Sequence, residues 1–518
     1  MKLFKFLSLV IGLIGFSVIL SAQEIEPIRI ELPVQLESRS YRYELLGEQG
    51  LLLFYESNEL DSIGKRKWYF SLIDTNLTEQ WVRFLLLEDG MKVQKVVSTE
   101  ERVAIILINS TSKKQDVISY EIVNYNINNS KFGLLGGTFP AQAEIADAEL
   151  AGDKLMLGLN LKDYLADFLL FDLKSGALTT LDASLDGQLL IREMSASVEQ
   201  GIFVAAVKQF ENKRYKADVF LVFDAQGNIR RQYQADDNQS YFLASIGFTF
   251  LDNDIIALGA FERESKRGVS LKDVDGNIER EAIGVFFLRL KADGSTQSQF
   301  YQFNQIPGID KVLAREDLLR LRQLQSRGKA VDQSEISFQF FTPQIINQGN
   351  QLIFATEAFQ PQYRIESRID YDFYGRPIPY TYTIFEGYNF FNTLILSFDK
   401  TGNINWVNGF RMENLISFQL ENHVKTSESG KELLTALFHN GSLQSKVFRA
   451  DGAAASELEK LKVDLKFPND RLLEEYFGKI YPWYDAYYLV AGNQKISNNR
   501  LRIENPRSVF FLQKVVFE

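Results

Sequence analysis

The stretch VFLVFDAQGNIRRQYQ at residues 219–234 and its cousin LILSFDKTGNINWVNGF at residues 394–410 each run an apolar strand into an Asp-x-x-Gly-Asn turn and out into a second strand. The Asp side chain caps the tight connection and the Gly supplies the positive φ it needs. The same kind of turn recurs as IDTN at Asp74, VNYN at Asn124, FDLKSG at Asp172, KADG at Asp293 and RADG at Asp451. A second marker, a polar turn followed by a short apolar strand, precedes each of these turns. It stands at Gly50, Glu101, Asp153, Gly201, Asp254, Asn350 and Gly430, with an eighth copy at Asp485.

The spacing is regular. Asp172 to Asp224 and Asp399 to Asp451 are each 52 residues apart, Asp74 to Asn124 is 50, and Asn124 to Asp172 is 48. Each period holds about four strand-length runs, the content of one β-propeller blade. Two stacked β-sandwiches also give short strands and frequent turns. They do not require two turn markers to share one period along the whole chain. The expectation is an all-β chain folded as a single propeller of about eight four-stranded blades, with seven as the alternative. The blades begin near Tyr41, Met91, Ala143, Leu190, Tyr241, Ile336, Ile416 and Glu475. The last unit, ending with residues 508–517, is one strand short. Residues 28–36 (IRIELPVQL) offer the missing strand, and pairing the two would close the ring and remove its open sheet edges.

In repeat style these phrases resemble the exported bacterial propellers of the quinoprotein-like and WD40-like superfamily. Trp81 and Trp406 each lie seven residues after the turn Asp, a position that implies packing between blades. Most units lack that Trp, a departure from the quinone-dependent dehydrogenases. Ser397, Asp399, Gly402 and Trp406 resemble the Asp-box of sialidases, but the Gly falls one residue late and the Trp two late. An eight-bladed propeller that helps assemble outer-membrane proteins is also similar, but it is a lipoprotein and this chain has no Cys to acylate. The resemblance implies a fold and leaves function open.

Residues 1–22 have the build of a secretory signal: Lys2 and Lys5, an apolar run from Phe6 to Leu20, then Ser21 and Ala22. Cleavage is expected after Ala22, leaving a propeller over residues 23–518 that is exported to the periplasm or cell exterior without stable membrane insertion. With no Cys, disulfides and thiolate chemistry are excluded. Loss of Lys2 and Lys5 takes the net charge from −10 to −12, which disfavours nucleic acid as a partner.

Three stretches exceed the basic period, near residues 263–281, 306–335 and 359–392. In a propeller the second-to-third strand loops and the blade-to-blade connections emerge on one face, so all three crowd that face over two adjacent blades. Long loops on a regular scaffold are where function concentrates. The third stretch mixes rings with charge. Tyr363, Arg364, Tyr371, Asp372, Phe373, Tyr374, Arg376, Tyr380 and Tyr382 are the binding candidates. Rigid rings with polar tips beside Arg suit a protein, peptide or glycan surface. The competing reading is that half of the rings pack the base of a long hairpin.

Other motifs point to no chemistry. Asp273, Asp275, Asn277 and Glu279 alternate around Gly276, but the Gly and the closing acid miss calcium-loop spacing. Residues 315–327 place leucines on one helical face, a pattern that suits docking on the protein's own surface. His423 and His439 are the only histidines; a His pair with a carboxylate could bind zinc, but catalytic zinc takes three protein ligands and nothing here sets a close ligand spacing, and there is no nucleophile elbow. No metal, cofactor or catalytic residue is expected. The reading is a non-enzymatic binding or scaffolding propeller of the cell envelope. The alternative is a carbohydrate-active or quinone-dependent enzyme working through carboxylates in the central channel.

Overall fold

The computed structural model describes residues 28–35, 40–109, 117–140, 142–235, 241–263, 282–312, 339–371, 373–430, 432–500 and 504–517. Residues 1–22, read as a signal, almost all of the first insertion, and residues 315–327, read from their leucine spacing, lie outside these residues.

Among the described residues the strands form eight successive antiparallel sheets, seven of four strands and one of six. The first five begin at Tyr41, Met91, Glu144, Gln188 and Tyr241. The sixth is built on Gln344–Gln348, Gln351–Tyr371, Pro377–Asp399 and Ile404–Asn408, with Gln339–Phe340 and Arg411–Ser417 added at its flanks. The seventh begins at Val424 and the eighth at Arg471. Ile416, read from sequence as the start of the seventh unit, instead belongs to the strand added to the sixth, paired with Asn389.

The repeat in the sequence becomes a repeat in packing, because each gap between consecutive sheets holds its own apolar core. Phe54 and Phe70 of the first sheet meet Met91 and Ile105 of the second. Val204 and Phe220 of the fourth meet Ile255 and Phe286 of the fifth. The ring closes where Leu51 and Leu53 of the first sheet meet Leu489 and Leu512 of the eighth. Arg29–Pro33 supplies the eighth sheet's fourth strand, pairing from Arg29 opposite Gln513 to Pro33 opposite Val509. Arg507 fastens this closure, bonding Glu31 and, at 2.6 Å, Asp470.

The turns that set the period do what their residues require. In the fourth sheet the Asp224 carboxylate accepts the N–H groups of Gln226 and Asn228, both at 2.9 Å. In the sixth, Asp399 accepts those of Thr401 and Asn403. Gly227 (φ 87°) and Gly402 (φ 94°) adopt the left-handed region where side chains strain. Each turn also packs on the preceding sheet: a Cβ would lie 2.4 Å from Leu181 at Gly227 and 2.6 Å from Phe287 at Gly402. Trp81 meets Tyr125 and Phe132 of the second sheet, and the Trp406 indole N–H donates to the Ala450 carbonyl of the seventh. Both Trp residues thus lie between blades.

Candidate functional site

The insertion at residues 359–392 is a continuation of two blade strands. Gln351–Tyr371 and Pro377–Asp399 stay paired from Gln351 opposite Asp399 out to Tyr371 opposite Pro377, with bulges after Ala358 and Gln362. Its base is core. Phe359 and Phe390 are 4% and 0% exposed, packed with Phe410, Met412, Leu415 and Val424. The added strand Arg411–Ser417 covers that base by pairing with residues 388–392. Beyond Tyr363 the rings other than Tyr382, which is half-buried, are uncovered. Tyr371 is 70% exposed, Tyr374 77% and Phe373 97%. The rings at the base thus pack as the competing reading has it, and those farther out are exposed.

Opposed residues of an antiparallel pair share a face, so the register sorts the side chains. One face carries Tyr363 opposite Phe385, Ile365 opposite Thr383, Ser367 opposite Thr381, Ile369 opposite Pro379, and Tyr371 opposite Pro377. It has no charged residue. The other carries Arg364, Glu366, Arg368 and Asp370 opposite Ile384, Tyr382, Tyr380 and Ile378.

The charges on that second face are held in place. Arg364 bridges Glu366 at 3.0 Å and Glu386 at 3.2 Å, and Arg368 meets Asp370 at 2.8 Å. The Tyr382 hydroxyl donates to Glu366 at 2.5 Å, which raises the Tyr382 pKa, and the Tyr380 and Tyr382 rings stack at 6.0 Å. At the tip, Phe373 and Tyr374 meet edge to face at 5.6 Å, and the Arg376 guanidinium lies 5.4 Å from the Tyr374 ring centroid. Asp372 lies outside the described residues. The eight other candidates thus fall in three places: Tyr363 and Tyr371 on the uncharged face, Arg364, Tyr380 and Tyr382 on the charged face, and Phe373, Tyr374 and Arg376 at the tip.

Both histidines have local partners. His423 is buried, its Nδ1 3.3 Å from Glu357, whose other oxygen accepts the backbone N–H groups of His423 and Val424. This contact docks the seventh sheet on the sixth. His439 Nε2 lies 2.9 Å from the Asn440 amide. Among the described residues no group of three or more His, Asp or Glu side chains is placed to hold a metal ion.

A second cluster escaped the sequence reading. From the second sheet to the eighth, the first strand of each sheet lies beside the next, around the axis. The second, third and fourth sheets carry the same one-residue bulge in this strand, after Val93, Ile145 and Ile191. The bulge brings Lys95, Asp147 and Glu193 to matching positions. Lys95 pairs with Asp147 at 2.6 Å. Burial, and then the nearby Asp147 charge, push the Glu149 and Glu193 carboxyls up to about 8. Two such carboxyls remain protonated at neutral pH and are able to donate as well as accept.

No family model matches the chain, and no curated protein matches it. Among solved structures it is similar to the β-propeller domain of the Trilobed protease from Pyrococcus furiosus, with 10% identity, 79% of this chain and 95% of that one covered, and a TM-score of 0.37. It is also similar to polysaccharide lyase Uly1, with 10% identity, coverage of 83% and 90%, and a TM-score of 0.39. A third is the dihydro-heme d1 dehydrogenase NirN, with 12% identity, coverage of 84% and 78%, and a TM-score of 0.34.

Proposed function

We propose that this chain is an exported, non-enzymatic binding propeller of the cell envelope that recognises a protein, peptide or glycan through the outer half of its long hairpin. One observation carries the reading: beyond Tyr363 the hairpin leaves Tyr371, Phe373, Tyr374 and Tyr380 exposed. Exposed rings of this kind serve as anchors where a partner covers them, and the paired charges beside them fix its orientation. The test is capture from envelope extracts with the wild type and with Tyr371→Ala, Tyr374→Ala and Tyr380→Ala. Each substitution is expected to weaken capture by about 1–2 kcal/mol. Unchanged capture by all three would place the site elsewhere.

The Glu149 and Glu193 carboxyls, held up to about 8, favour a second reading, a carboxylate-based carbohydrate-active enzyme working in the channel. Turnover of a polysaccharide that is lost in Glu149→Gln and Glu193→Gln would select it.

A further inference from the structure

Beyond its base the long hairpin is a ribbon of two strands, and among the described residues no third strand pairs with residues 363–371 or 377–385. We propose that the edge formed by residues 363–371 pairs antiparallel with the same edge of a second copy of this chain, about a two-fold axis at Ser367, to make one four-stranded sheet. The hairpin backbone carries this contact, whereas the binding role above rests on the hairpin's rings, so the inference goes beyond that role.

Proline fixes which backbone groups face outward. Pro379 opposes Ile369 and has no N–H to give it, so the two form a non-hydrogen-bonded pair. The N–H and C=O of Ile369 therefore point out of the ribbon, as do those of Ser367 and Ile365 in the same alternation. On the opposite edge the outward positions include Pro377 and Pro379, which donate nothing. Prolines so placed blunt an edge against pairing, and residues 362–371 carry none. One edge is closed and the other is left open.

The open edge is complementary to itself. With the axis at Ser367, Ile365 opposes Ile369 of the second copy, Tyr363 opposes Tyr371, Arg364 opposes Asp370, and Glu366 opposes Arg368. Opposed residues share a face, so apolar side chains meet on the uncharged face and opposite charges meet on the other. Moving the axis by one residue sets Arg364 against Arg368 or Glu366 against Asp370, and like charges directly opposed destabilise a sheet. Only the axis at Ser367 satisfies both pairs.

The backbone bonds supply the attraction and the charges set the register. Arg364 already bridges Glu366 and Glu386 in its own chain, and Arg368 bridges Asp370, so the second copy extends these pairs into a network across the seam. The edge is accessible, with Ile365 70% and Ile369 60% exposed. A ribbon of two strands is marginal in water, and a sheet of four is a stable unit.

The test is sedimentation velocity of the whole protein across a concentration series, in which the wild type is expected to pass from monomer to dimer. Ser367→Pro removes an outward N–H and none that the hairpin's own ladder uses, and it should stay monomeric with an unchanged melting temperature. Arg368→Glu and Glu366→Arg each set like charges face to face and should weaken self-association at least tenfold. An equimolar mixture of those two variants should dimerise as the wild type does, because each supplies the charges the other lacks. The axis is read separately: opposed Ser367 residues place their Cα atoms about 5.5 Å apart, within the span of a disulfide. The chain has no Cys, so Ser367→Cys treated with diamide should give a covalent dimer, and Ile365→Cys, whose mate is Ile369, should not. A wild type that stays monomeric throughout, dimers of Ser367→Pro as strong as those of the wild type, or a mixture no stronger than its two components would overturn the proposal.

Discussion

The fourth and sixth sheets share one design up to the ends of their middle strands. In the fourth, Ile202–Glu211 and Arg214–Asp224 pair from Ile202 opposite Asp224 to Glu211 opposite Arg214, where Asn212 (φ 50°) and Lys213 (φ 65°) turn the chain. In the sixth, the equivalent pair begins at Gln351 opposite Asp399 and runs on to Tyr371 opposite Pro377. The fourth sheet ends at that two-residue turn. The sixth continues past that limit, and its side chains change from buried rings to exposed rings and paired charges. A propeller gains a surface device most cheaply by lengthening a hairpin already in register, because ladder hydrogen bonds satisfy the new backbone and the core stays as it was.

The comparison breaks most sharply inside the cores. In the fourth sheet Lys208 is buried against Asp218 at 2.7 Å and also donates to the Leu243 carbonyl, while burial pushes its ammonium down to about 8. Asp218→Ala removes the carboxylate that keeps the buried Lys208 charged and should cost about 3–5 kcal/mol in urea unfolding. In the sixth sheet Phe390→Ala should cost a similar amount, about 3–5 kcal/mol. Phe373→Ala, in the same hairpin, should stay within about 0.5 kcal/mol of wild type. Equal losses at Phe390 and Phe373 would erase the boundary drawn at Tyr363.

A milder effect concerns the channel. The Glu149 and Glu193 carboxyls hold their protons up to about 8 in the folded chain and release them near 4.5 when unfolded. The folded state therefore binds more protons across that window, and stability should fall as pH rises through it. The double variant Glu149→Gln, Glu193→Gln should flatten the slope of stability between pH 5 and 8, read by thermal unfolding. An unchanged slope would show that these carboxyls are not buried as described.

What the sequence disclosed follows from how locally each feature is encoded. Asp224 and Gly227 carry their own turn, so the period, the closing strand and most blade starts were legible. Phe359 and Phe373 are the same residue type within one insertion. Cover distant in sequence, from the strand Arg411–Ser417 and from Phe410 and Val424, separates buried from exposed, and reading Ile416 as the next blade's first strand hid part of it. The matching of Lys95, Asp147 and Glu193 depends on one-residue bulges, which leave the turn spacing unchanged and so make no mark on the period.

The variant that bears most on function removes the outer hairpin altogether. Joining Tyr363 to Phe385 through Asn-Gly in place of residues 364–384 restores a two-residue hairpin like that of the fourth sheet. Its melting and its capture of partner from envelope extracts, measured beside the wild type, test the account most directly. The account predicts unfolding within about 1 kcal/mol of wild type and loss of the captured partner. A variant that fails to fold would make the outer hairpin part of the core, and one that folds and captures the same partner would contradict the binding role assigned to it.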